Sequence, residues 1–379
     1  MTRMLASVTG PEEAELALAS GADVIDLKDP AGGAFAAVSL ETVRATVRAV
    51  AGRRPVSAVA GELPMRAQTV VAAVGALAEC GVDFVKLGIL AGDPLPVIAA
   101  LAPLAARVRL IAVLFADRVP DFGLLPMLAQ ARFAGAMLDT AAKDGARLLD
   151  HMPLPRLRAF VEACRSERLM AGLAGALEAP DVPRLLLLGP DVLGFRGALT
   201  GPGGRAAPIA REAVQAIRAL IPPEGQREEG GAVDYRLLAA RGYAPDPNGD
   251  PSVTDRVFVR DLVLPVRIGA YARERAAPQR VRFTIDVLVW RATHASFDMR
   301  DVFSYDVITD GIRLLVDAGH LPLVETLAER IAEMLLTHPR VVRAIVTVEK
   351  LDTGSGTVGV SIERTRASVS TAAGAVGRS

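Results

Sequence analysis

From residue 3 to about residue 220 the chain alternates two textures. Short apolar runs rich in β-branched residues recur as RMLASV, DVIDLK, PVSAVAG, FVKLGIL, RLIAVLF, GAMLDT, LMAGLAGAL and VLGFRGAL. Between them lie amphipathic stretches with apolar residues at helical spacing, such as PEEAELALAS, SLETVRATVRAV, MRAQTVVAAVGALAEC and LPRLRAFVEACRSER. Strand-like runs separated by helix-like ones predict parallel strands joined by right-handed crossovers. Eight is the number that closes into a (β/α)8 barrel, and residues 1–221 are enough chain to build one. A doubly wound open sheet is the competing arrangement. It would be favoured by a GxGxxG turn after the first strand, where SVTGPEEAE offers a single glycine.

Residues 222–256 break the rhythm. PPEGQREEGG and APDPNGDPSVTDR are made of turn formers, with AVDYRLLAARGY between them as a short helix, so the segment reads as a linker. A second domain is expected over 257–366. VFVRDLVLPVRIGAY and QRVRFTIDVLVW alternate apolar and polar residues, as antiparallel strands with one wet face do. Two helical stretches follow, SYDVITDGIRLLVDAG and LVETLAERIAEMLLTHP, and then two closing strands, RAIVTVEKL and TVGVSIERT. That order is an α+β layout. Residues 367–379 read as a flexible tail.

A length of 379 residues is consistent with two domains, and a composition of 51% hydrophobic with 23% charged residues excludes a disordered chain. Lys plus Arg and Asp plus Glu both number 43, which argues against a nucleic-acid surface or a polybasic membrane anchor. The first residues turn acidic before any long apolar run, and no run reaches spanning length, so a cytoplasmic protein without a membrane partner is expected. Cys80 and Cys164 form no disulfide framework, and His151, His294, His320 and His338 lack ligand spacing, so no metal is assigned.

Barrel chemistry sits at the C-terminal ends of strands. The second run ends in Asp26-Leu27-Lys28, placing Asp26 and Lys28 on one face; the fourth carries Lys86; the sixth ends at Asp139, with Lys143 four residues on; the eighth carries Arg196. Arginine dominates the basic residues, yet three lysines take these places. Lysine can lose its proton and act as a nucleophile, which arginine cannot. Lys28, Lys86 and Lys143 meeting in one mouth would depress one another's proton affinity, with Asp26 and Asp139 relaying protons or holding an ammonium. The plainer reading makes each lysine a solvated loop residue or half of an ion pair. GALTGPGGR, with Gly201, Gly203 and Gly204, is either a turn before the last helix or a phosphate cradle to which Arg196 and Arg205 add charge.

In that order, DVIDLKDPAGGAF, FVKLGI, MLDTAAKDG and GFRGALTGPGGR resemble (5-formylfuran-3-yl)methyl phosphate synthase, the furan-forming enzyme of methanofuran biosynthesis, over essentially all of residues 3–220. The resemblance implies condensation of two molecules of glyceraldehyde 3-phosphate with release of phosphate and water, and no cofactor. It implies Lys28 as the Schiff-base amine, Lys86 as acid/base, and Asp26, Asp139 and Lys143 as supporting groups.

In the second domain, Glu274 lies in the turn between the first two strands, Tyr305 at the entry to the first helix, Glu325 in the first turn of the second, and Lys350 at a strand end. Singly these are a turn residue, a surface residue, a helix-terminus carboxylate and an edge charge. Together, VRIGAYARERAAPQRVRFTIDV, FSYDVI, LVETLAERIAEMLL and TVGVSIER are similar to dihydroneopterin aldolase over about 257–364. The resemblance implies the tunnelling fold, homo-oligomers with sites between subunits, and dihydroneopterin as substrate. It implies that Glu325 anchors the pterin, that Lys350 and Tyr305 transfer protons, and that Glu274 is a further site carboxylate. The chain departs from the family at KLDTGSGTVG after Lys350 and at Ile268, which bears on which pterin is preferred. Two other assignments remain open: a different phosphosugar aldolase, and a C-terminal domain that only assembles the barrels.

Overall fold

The computed structural model describes residues 2–33, 35–63, 65–89, 93–142, 145–201, 204–221, 254–291, 303–338, 340–353 and 356–366. The chain divides into two compact units near residue 230, each taken here by itself.

In the first unit eight strands run in parallel: β1 (Arg3–Val8), β2 (Val24–Leu27), β3 (Val56–Val59), β4 (Phe84–Ile89), β5 (Arg109–Phe115), β6 (Gly135–Asp139), β7 (Met170–Leu173) and β8 (Val192–Phe195). The last pairs with the first, Arg3 opposite Val192 and Leu5 opposite Gly194, so the sheet closes. Closure removes the open-sheet alternative. Nearly every strand position is buried, as it must be when one face fills the barrel and the other meets helices. The helix Leu40–Val50 shows how the wrapping layer is made: Ser39 accepts from the Thr42 N–H as cap, and Val43, Thr46 and Val50 form the buried stripe. Small residues let the strands close tightly. A Cβ at Gly135 would stand 2.6 Å from the Met170 carbonyl oxygen, so the β6–β7 approach requires glycine.

The second unit is a four-stranded antiparallel sheet of β9 (Thr254–Val266), β10 (Gln279–Trp290), β11 (Val341–Lys350) and β12 (Val358–Thr365), in the order β12-β11-β10-β9. Two helices, Tyr305–Asp317 and Val324–Thr337, are inserted between β10 and β11. On β10, Val281, Phe283, Ile285, Val287 and Val289 alternate into a core with Ile308, Ile312, Leu327, Ile331 and Leu335. The intervening positions carry cross-strand ion pairs: Arg282 with Glu349 at 2.8 Å, and Arg256 with Asp286. The first helix starts where expected, Ser304 accepting from the Asp306 N–H at 3.2 Å.

Two expectations change. The strand β9 begins at Thr254, inside the stretch read as linker, because Thr254 and Arg256 continue the ladder opposite Trp290 and Leu288. The turn before β10 contains a short helix, Ala272–Ala276, that periodicity did not announce. The remaining linker, its short helix and the tail lie outside the described residues.

Candidate active site

The barrel interior holds a buried polar cluster built from four consecutive strands. Asp26 of β2 is fully buried. Its Oδ2 accepts from the Lys86 ammonium of β4 at 2.5 Å and from the Ser7 hydroxyl of β1 at 3.1 Å; its Oδ1 accepts from the Ser57 hydroxyl of β3 at 2.5 Å. Lys86 is itself 5% exposed. An ion pair so enclosed is tolerable only because the carboxylate's remaining lone pairs are also occupied.

Above it, at the C-terminal ends of the strands, opens a cavity of about 360 Å³. Lys28, Asp139, Arg205 and Gly204 line it, together with the turn after β7 and the Arg196–Ala198 segment after β8. Lys28 and Asp139 are buried side chains on opposite walls, Lys28 directly after β2 and Asp139 at the end of β6. Lys28, Asp139 and Arg196 all line this cavity, whereas Lys86 does not. Its ammonium is bound to a carboxylate in the interior, where it borders a separate cavity of about 40 Å³. Of the three amines expected in one mouth, Lys28 lines the cavity and Lys86 is held by Asp26, while Lys143 lies outside the described residues.

Arg196 also differs from a simple anion binder. Its guanidinium donates to the carbonyls of Ser7 (3.1 Å), Arg205 (3.0 Å) and Ala207 (2.8 Å), and twice to Glu13 (2.6 and 3.3 Å). Those contacts occupy its donors inside the protein, so it fastens the segment after β8 to the start of the barrel. Burial works to raise the Glu13 carboxyl, but hydrogen bonds from Arg196 and from the Thr9 and Ile209 N–H groups hold it below the usual range. Arg205 lines the cavity, as do Lys28 and Arg147: burial lowers the Arg205 guanidinium from its ordinary range while neighbouring Asp139 acts in the opposite sense. Gly204 takes φ +75°, a left-handed conformation that glycine adopts without strain. Gly201 is described but does not line the cavity, and Gly203 lies outside the described residues.

Sequence reasoning missed Ser7, Ser57, Glu13 and Asp117. The Asp117 carboxylate accepts from the N–H groups of Ala141 and Ala142, both at 2.8 Å, and so holds the turn that leaves Asp139. A visible signal existed for three of them: single polar residues within or closing apolar runs, in RMLASV, PVSAV and RLIAVLFAD.

In the second unit the Lys350 ammonium donates to Glu274 Oε1 at 2.7 Å. The other Glu274 oxygen accepts from the Tyr271 N–H at 3.0 Å, and the loop closes through Gln279, which donates to the Ile268 carbonyl. Gly269, at φ +130°, lies directly against the Glu274 carboxylate, where a side chain would collide with it. Glu274 and Lys350 are therefore brought together. Tyr305, 63% exposed, and Glu325, also exposed, stand at the first turns of the two helices without a hydrogen bond to that pair among the described residues. Also among the described residues, no group of three or more His, Cys, Asp or Glu is placed to hold a metal ion, and no helix is long and apolar enough to cross a membrane.

Fold and site together define a (β/α)8-barrel lyase joined to an α+β aldolase-type domain. The 4-HFC-P synthase family profile matches residues 4–218 and the dihydroneopterin aldolase profile residues 257–363. The chain belongs to the 4-HFC-P synthase family and carries a dihydroneopterin aldolase domain fused behind it. A Methylorubrum extorquens protein provisionally named (5-formylfuran-3-yl)methyl phosphate synthase is 47% identical, the match covering 57% of this chain and 92% of that one. The Methanopyrus kandleri protein of that name is 34% identical, over 54% of this chain and 91% of its own. Among solved structures, Escherichia coli dihydroneopterin aldolase in complex with neopterin is 32% identical, covering 29% of this chain and 98% of that one, with a TM-score of 0.28.

The Lys350 hydrogen bond, helped by the Tyr271 N–H, holds the Glu274 carboxyl at about 2, below its ordinary 4.5. A carboxyl lowered on folding stabilises the native state above its ordinary pKa and loses that contribution as pH falls through the lowered value. Lys350→Ala should therefore be less stable than the parent near neutrality, with the gap closing between about pH 4.5 and pH 2. Urea denaturation of the full chain at a series of pH values reads this; a gap that stays constant to pH 2 contradicts it.

Proposed function

We propose that the barrel condenses two molecules of glyceraldehyde 3-phosphate into (5-formylfuran-3-yl)methyl phosphate through a Schiff base on Lys28. The observation that carries the reading is a lysine, a carboxylate and an arginine around one cavity large enough for a small phosphosugar: Lys28, Asp139 and Arg205. The Lys28 amine adds to a substrate carbonyl and loses water, and the resulting iminium acidifies the neighbouring C–H. Removal of that proton gives an enamine that expels inorganic phosphate from its third carbon, and that carbon, now the end of an enol, adds to the C2 carbonyl of the second substrate in its keto form. Ring closure through the free hydroxyl and two dehydrations form the furan, and hydrolysis of the imine frees the aldehyde and returns the lysine. Two C3 phosphates yield one C6 phosphate, one phosphate and, net, two waters, with no oxidant or reductant needed.

Roles follow from position. Asp139, on the wall opposite Lys28, is suited to moving protons at the substrate. Arg205 offers donors and charge to a phosphate, with the Gly204 backbone beside it. Lys86, bound to Asp26 in the barrel interior, is assigned the acid/base role. The domain bounds 1–221, 222–256, 257–366 and 367–379, and a cytoplasmic location, belong to the same reading.

The C-terminal domain is proposed to cleave dihydroneopterin by a retro-aldol step without an imine, Lys350 and Tyr305 moving protons, Glu325 gripping the pterin edge and Glu274 fixing Lys350. Support comes from the Glu274–Lys350 bond and the family match. Tyr305 and Glu325 project from helix starts, as groups that complete a site shared between copies of the chain would.

Purified protein incubated with glyceraldehyde 3-phosphate should develop a furan-aldehyde absorbance, and Lys28→Arg should lower the rate by at least about 10³-fold. No absorbance from the parent enzyme contradicts the reading. With dihydroneopterin, aldehyde release should fall by at least about 10²-fold in Lys350→Ala. Unchanged release removes Lys350 from the mechanism, and none from the parent leaves the domain an assembly module.

A further inference from the structure

Asp26 has no surface from which to touch a substrate, so what it does to the reaction it does through Lys86. The two oxygens are held by different neighbours: the Ser57 hydroxyl takes Oδ1 alone, while Ser7 and Lys86 share Oδ2. Ser57 and Ser7 come from the strands flanking β2 on either side, Ser7 opposite Asp26 in the β1–β2 register and Ser57 opposite it in the β2–β3 register. The carboxylate is thereby gripped from both sides, and its orientation decides where the Lys86 ammonium rests. Ser57 also lines the small interior cavity that Lys86 borders, whose other walls are mostly apolar, including Val24, Phe84 and Met137.

We propose that Ser57, seconded by Ser7, is a positioning residue of the furan-forming reaction: it fixes the Asp26 carboxylate and through it the place and charge of Lys86. The inference rests on the barrel reading above. With Ser57 gone, the carboxylate loses a donor and turns more freely. Asp26 then binds a proton more readily, and Lys86, with a weaker counter-ion, gives one up more readily. Among the described residues, the Ser7 hydroxyl of β1, the Ser57 hydroxyl of β3 and Lys86 of β4 bond Asp26, and Arg3 of β1 lines the small cavity that Lys86 borders. Lys28 stands two residues on, just past the end of β2, and Asp139 of β6 and Arg196 after β8 line the mouth with it.

Ser57→Val and Ser57→Thr form the test, because valine and threonine have nearly one shape and differ in the hydroxyl. The adjoining cavity of about 40 Å³ takes the added methyl, and valine denies the site to a substitute water. In Ser57→Val, kcat for furan formation should fall about tenfold while KM moves less than about twofold, and both limbs of the pH–rate profile should move inward. Ser57→Thr should recover most of the loss and the parental profile. Equal rates and profiles for the two variants overturn the proposal. A substrate-free reading separates it from the barrel assignment: competitive methylation of Lys86 with formaldehyde and cyanoborohydride, followed by peptide mass spectrometry, should reach half-maximal rate at lower pH in Ser57→Val. If the parent makes no furan, the barrel assignment fails and the methylation profile alone decides whether Ser57 sets Lys86, an unmoved profile overturning it. Should Ser57→Val not fold, Ser7→Ala should show the same inward shift in smaller measure, and its absence is equally decisive.

Discussion

A charged pair locked inside a closed barrel is the constraint around which the first unit is organised. Asp26 and Lys86 both lie out of water, where a lone charge is costly, and neither strand could carry its residue without the other. Four strands in succession each contribute one polar group, from Ser7 through Asp26 and Ser57 to Lys86. Such a cluster forms only when the parallel register is right, since a one-residue slip would turn the whole set to the helix side. The pair also divides the interior. Beneath it the barrel is apolar and nearly full; above it lies a roomy, polar mouth.

That division gives the two buried lysines different surroundings despite similar sequence settings. Lys28 reaches the cavity, while Lys86 is tied to its counter-ion. The second unit solves a related problem differently. There, Lys350 is paired with Glu274 across a turn in which the Tyr271 N–H and the bare Gly269 bring the carboxylate close. One lysine lines a cavity, and two are held by carboxylates that fix charge and direction. Only four of the 43 basic residues are lysines, Lys28, Lys86, Lys143 and Lys350, a scarcity that fits positions where arginine's permanent charge would not serve.

The architecture was largely legible before any coordinates. Alternation of buried strand runs with amphipathic helices pointed to eight parallel strands, and period-two alternation in QRVRFTIDVLVW pointed to an antiparallel sheet. Strand-end position drew attention to Lys28, Asp139 and Arg196, which line one cavity, because alternation along a strand is a strict geometric rule. What could not be read was the partner of each group. Whether Lys86 meets another amine or Asp26 depends on the stagger of strands around the barrel, which no local pattern encodes. The engagement of Arg196 by Glu13 joins residues 183 positions apart, and the grip of Ser57 on Asp26 joins residues 31 apart. Serines inside apolar runs are individually unremarkable; only closure of the barrel shows both turned toward one carboxylate.

The most direct measurement is reduction by borohydride during turnover of glyceraldehyde 3-phosphate, followed by peptide mapping of the trapped adduct. The account predicts a single substrate-dependent mass increase on the peptide containing Lys28, with Lys86 and Lys143 unmodified. An adduct on Lys86, or none on any lysine while product still forms, would contradict it.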